Sequence, residues 1–130
     1  MRFVLFILVS VSSGCYLGNG SPSEFNYWIK NGEHISYSDI KVCEKKVYAL
    51  LDSRFKHLDA IENNIGIVSM RKNYREEYDE YISYIKKATP KISECYYDMG
   101  YRFTAPYYWC LSRDHGGANT ETCKVNQKYR

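Results

Sequence analysis

The run YREEYDEYISYIKKATPKISECYYDMG (residues 74–100) decides the fold. Tyr74, Tyr78, Tyr81, Ile85, Ala88, Ile92, Cys95 and Met99 advance by alternating steps of four and three, the spacing that lines one face of an α-helix. Acids and bases fill the positions between Arg71 and Glu80, as on a solvated face. Pro90 interrupts the run without shifting its phase, which predicts one kinked helix rather than two elements. Gly100 supplies the stop.

Upstream, Ser36 is followed three residues later by Asp39, a capping box with Asp in the usual Glu position, and Ser38 is a second candidate cap. From there Ile40, Cys43, Val47, Leu50, Leu51, Leu58 and Ile61 recur at helical spacing until Asn63-Asn64-Ile65-Gly66 ends the run. The expected fold is therefore mainly α: an antiparallel helical hairpin of about residues 38–62 and 69–99, kinked near Pro90 and joined by a short Asn/Gly turn. Cys43 lies near the start of the first helix and Cys95 near the end of the second. Antiparallel packing brings both to one end of the hairpin, which selects a Cys43–Cys95 disulfide from the three connectivities open to four cysteines. Cys110 and Cys123 then bracket a polar, glycine-bearing spacer. It reads as a loop closed at its neck by a second disulfide, within an irregular C-terminal segment that folds back over the helices.

One hundred and thirty residues allow a single domain. The 45% apolar content includes 14 tyrosines, whose hydroxyls still want partners. The core is thinner than that figure suggests, and cross-linking compensates in small domains. The net charge of +3 forms no clustered basic face, so nucleic acid is not an expected partner.

The N-terminus carries an address. Arg2 precedes the apolar run Phe3–Val11, an export signal over residues 1–14. As a helix the run rises about 14 Å, too short for a hydrocarbon core of about 30 Å. Two kinds of processing fit residues 12–15. One is ordinary signal peptidase cleavage after small residues, for instance after Ser13. The other starts from Ser12-Ser13-Gly14-Cys15, which resembles the lipobox of bacterial lipoproteins, with Ser12 where that pattern usually has an apolar residue. In that family the cysteine takes a diacylglyceryl thioether. Parity favours lipidation, because assigning lipid to Cys15 leaves an even set of four cysteines for two disulfides. Residues 15–24 read as a tether, and 25–130 as one helical domain. Tyr16 stands where an aspartate would retain such a lipoprotein at the inner membrane, so the family's sorting rule implies the outer membrane. The elements Trp28-x-Lys30-x-Gly32, Cys43, and Cys95 shortly before Gly100-Tyr101 resemble small Gram-negative lipoproteins over about residues 1–101. That resemblance implies the anchor and the helical disulfide, and it brings no catalytic residues.

Chemistry is sparse. His34, His57 and His115 have no metal-ligand spacing with cysteines, and oxidised cysteines supply no nucleophile. Ser112-Arg113-Asp114-His115-Gly116-Gly117 gathers a hydroxyl, a carboxylate and an imidazole, but consecutive residues seldom converge into a triad. Glu76, Glu77, Asp79 and Glu80 alternate with bases on the solvated face. Neither a cofactor, a metal nor a catalytic activity is expected. Tyr96, Tyr97, Tyr101, Phe103, Tyr107, Tyr108 and Trp109 crowd one quarter of the chain. Most are expected to form a small aromatic core. Tyr107, Tyr108 and Trp109 are the candidate interaction surface for an envelope protein or a glycan. The expected role is a lipid-anchored envelope accessory or interaction protein. The alternatives are a small envelope enzyme or enzyme inhibitor acting through the 110–123 loop, or a secreted soluble effector if Cys15 carries no lipid.

Overall fold

A computed structural model describes residues 20–112 and 117–130. The export signal and Cys15 lie outside the described residues, as do Asp114 and His115. Helix α1 (Tyr37–Tyr48) starts where the cap predicts: the Ser36 hydroxyl accepts the Asp39 N–H at 3.1 Å. It buries Ile40, Cys43 and Val47. The long helix α4 (Arg75–Asp98) runs through Pro90 as a single element and buries Tyr81, Ala88, Ile92 and Cys95.

Cys43 and Cys95 form a disulfide joining the middle of α1, and so the early part of the first arm, to the end of α4. Further along the first arm, the partners move toward the start of α4. The Tyr84 hydroxyl donates to Asp52 at 2.9 Å, the Arg54 guanidinium holds Glu80 through Nε and Nη2, and the Tyr81 hydroxyl donates to Asp59 at 3.2 Å. The two arms therefore run antiparallel, and the fold is a mainly α hairpin with a second disulfide, Cys110–Cys123, in its C-terminal part.

The first arm is not one helix. Helix α1 ends at Tyr48 and α2 (Ser53–Ile65) begins afresh, because Asp52 is extended and its carboxylate accepts the Phe55 N–H at 2.9 Å, a stronger local offer than continuing the helix. The break resets the periodicity. Leu50, expected on the apolar stripe, is 83% exposed, while Phe55, outside that stripe, is buried. Gly66 then holds φ +79° and ψ 153°, a region essentially closed to side chains with a Cβ, and α3 (Ile67–Asn73) follows it. Tyr74 separates α3 from α4 and stays exposed.

The helical periodicity gives no hint of a small sheet that the fold also contains. Strand β1 (Trp28–Lys30) is central, with β2 (Glu33–His34) and β3 (Arg102–Phe103) antiparallel on either side. Pairing of Lys30 with Glu33 leaves Asn31-Gly32 as a two-residue turn, at φ 53° and 82°, the left-handed pair that a tight hairpin demands. The main core gathers Trp28, Cys43, Ile92, Tyr96, Phe103 and Trp109 among others. A second cluster holds Phe55, Leu58, Met70 and Tyr81; Tyr48 and Leu51 touch both.

Candidate functional site

After Pro106, which sets a helix-compatible entry, a single turn α5 (Tyr107–Cys110) forms. Two anchors fix it. Trp109 is only 2% exposed; its indole N–H donates to the Pro22 carbonyl at 2.8 Å, and its ring lies edge-on to Tyr27 at 5.0 Å. Cys110 is bonded to Cys123 on α6 (Ala118–Asn126), and the Thr120 hydroxyl donates to the Cys110 carbonyl at 2.8 Å. With these two side chains turned inward, Tyr107 and Tyr108 face out, 76% and 71% exposed, together with Leu111. A groove of about 300 Å³ runs beside them, lined by Tyr107, Leu111, the disulfide, Lys124 and Arg130.

The three aromatics expected on one surface thus divide. Tyr107 and Tyr108 are presented, whereas Trp109 belongs to the core because its ring is packed and its one polar atom has found a carbonyl. Leu111 joins the exposed pair, and the sequence held its signal: Tyr107 and Leu111 are one helical turn apart. The Cys110–Cys123 spacer is helical from Ala118 onward rather than a plain loop. Of the consecutive 112–117 group, the Ser112 hydroxyl lies 3.0 Å from the Ser21 hydroxyl. The end of the expected tether is likewise part of the packed structure: Pro22 accepts from Trp109, and Ser23 caps the 3-10 turn Glu24–Tyr27.

Between α1 and α2 opens a cleft of about 540 Å³ over Tyr48, Phe55 and Tyr81. Its rim alternates charge, with Lys41, Glu44, Lys56 and Asp59. Burial, helped by the carboxylates of Glu44, Asp59 and Glu62, pushes the Tyr48 phenol up to about 12 and raises that of Tyr81 as well. Both are therefore neutral at physiological pH, and neither is activated as a nucleophile or base.

Glu24 is a half-buried titratable group. Burial raises its pKa above the ordinary carboxylate value, partly offset by the Thr122 hydroxyl that donates to it. The folded protein therefore holds this proton more tightly than the unfolded chain does. The group's stabilising contribution is complete below the unfolded pKa and is lost as pH rises through the raised folded one. Glu24→Gln, which cannot ionise and can still accept from Thr122, is expected to melt higher than the wild type at pH 7. Thermal melts repeated at falling pH should show that gain vanishing below about pH 4.

Comparison of the chain with family models, with curated proteins and with solved structures finds no match, so the meaning of these surfaces rests on their own chemistry.

Proposed function

We propose that the protein is a lipid-anchored component of the Gram-negative cell envelope, held at the outer membrane through Cys15 and acting without catalysis as an interaction module. The observation that carries this reading is the pairing of Cys43 with Cys95 and Cys110 with Cys123. Those two bonds consume every downstream cysteine and leave Cys15, in its lipobox-like setting, outside both. The exposed pair Tyr107 and Tyr108 on a turn pinned by a disulfide and a buried indole supports the interaction role. Tyrosine brings large contact area at low entropic cost, and pre-fixing the turn lowers the cost further. A protein or glycan of the envelope is the fitting partner class.

Envelope fractionation of Cys15→Ser tests the anchor. The variant is expected in the soluble periplasmic fraction, and unchanged membrane retention would remove the reading. For the surface, Tyr107→Ala with Tyr108→Ala should abolish cross-linking to an envelope partner in intact cells. The same pair should change stability by no more than about 0.5 kcal/mol, as exposed positions do. Cross-linking that survives in the folded double variant moves the interaction elsewhere.

A further inference from the structure

Between the Glu24–Tyr27 turn and α4 lies a pocket of about 130 Å³. Four rings line it, those of Phe25, Trp28, Tyr48 and Tyr96, together with the carboxylates of Glu24 and Glu44, and no basic side chain is among its lining residues. Glu44 is held from outside the pocket by Lys41 at 2.7 Å. Glu24 has the Thr122 hydroxyl and no cation within ion-pair distance among the described residues. A carboxylate partly withdrawn from water without a counter-charge carries a desolvation cost that a bound cation would offset. Tyr96 supplies a buried wall of the pocket: it is 3% exposed and its ring stands edge-on to Trp28 at 5.2 Å.

We propose that this pocket binds a small alkylammonium cation, seated against the rings of Trp28, Tyr48 and Tyr96 with Glu24 as its counter-charge. The space is worth about four waters at liquid density, which suits a methylated ammonium head whose longer substituent leaves through the mouth. The lining residues that reach solvent, and so border that mouth, are the half-buried Glu24, Phe25, Glu44, Tyr48, Ile85 and Thr89. Aromatic faces attract such weakly hydrated cations. The carboxylate supplies the charge that the rings alone do not. An anion would meet two carboxylates and no base there, and an uncharged ligand would leave Glu24 as uncompensated as it is now.

Calorimetric titration of the purified protein with choline tests this. Saturable binding is expected with a dissociation constant on the order of 1 mM, at least tenfold weaker for Glu24→Gln. It should be absent for the uncharged analogue in which carbon replaces the quaternary nitrogen. If Glu24→Gln does not fold, Tyr48→Ser removes one ring at the mouth and should weaken choline about fivefold. Two arms divide the source of the ammonium: phosphocholine micelles that compete with choline assign a lipid headgroup, and micelles that do not compete assign a free amine. Absence of saturable heat, equal binding of the carbon analogue, or unchanged affinity in folded Glu24→Gln overturns the site. None of the lining residues belongs to the Tyr107–Tyr108 turn or to the anchor, so that failure leaves the envelope reading standing.

Discussion

Replacing Cys43 and Cys95 together by alanine is expected to lower stability by about 4 kcal/mol, more than removal of the other disulfide. The two bonds close loops of very different size, with sequence separations of 52 and 13. On the chain-entropy argument the longer loop is worth about 4 kcal/mol and the shorter about 3 kcal/mol. The longer bond also sits in the main core, where Cys43 is fully buried beside Met99, so the alanines add lost packing to restored chain entropy. A domain of this size has only about 5–15 kcal/mol to lose. Guanidinium unfolding of both double variants under non-reducing conditions is the measurement. A smaller loss for Cys43–Cys95 than for Cys110–Cys123 would place the main constraint in the C-terminal segment instead of the hairpin.

The hairpin was legible because its determinants are local and repeated. The stripe from Tyr78 to Met99 keeps one phase over many residues, and Ser36 announces the start of α1. The Cys43–Cys95 bond followed from those two features and the antiparallel rule. What escaped depended on single residues that outweigh a weak period. Asp52 was available as a cap, yet the apolar spacing through Leu50 and Leu51 suggested continuity, and the competing local hydrogen bond to Phe55 won. Asn31-Gly32 between Ile29-Lys30 and Glu33-His34 is a short-range hairpin signal, visible in the sequence but shadowed by its role in the lipoprotein-like Trp-x-Lys-x-Gly pattern. The third strand was not legible, since β3 is two residues long and pairs across more than seventy positions of chain. For the aromatic run Tyr107–Trp109 the sequence could not say which rings face out. That choice depends on the Pro22 carbonyl, eighty-seven residues away, which accepts from Trp109. Glu24 and Tyr96 share a pocket for the same reason: tertiary packing alone brings them together.

Trp28→Ala is expected to be the most damaging single substitution, at about 3–5 kcal/mol. The indole is 1% exposed and lies on the middle strand, so neither edge of the sheet can move in to fill its space. It meets Tyr96 of α4 at 5.2 Å, Phe103 of β3 at 5.3 Å and Tyr129 near the C-terminus at 6.0 Å. Three separate parts of the chain therefore lose their common contact at once, along with ring pairs worth about 0.5–1.5 kcal/mol each beyond burial. Leu50→Ala, by contrast, removes an exposed side chain and should stay within about 0.5 kcal/mol of the wild type. Phe55→Ala strikes the second cluster, centred on α2, α3 and the first half of α4. Because Tyr48 and Leu51 touch both clusters, the two should unfold as one cooperative unit, and each variant should shift a single transition. Denaturant unfolding followed both by helix content and by tryptophan fluorescence reads this directly, since Trp28 and Trp109 report only the main core while α2 and α3 report through the helix signal. If Trp28→Ala split the transition, with helix content outlasting the fluorescence change, the bridge through Tyr48 and Leu51 would be too weak to couple the clusters. A loss below about 2 kcal/mol would mean that the cavity collapses despite the flanking strands.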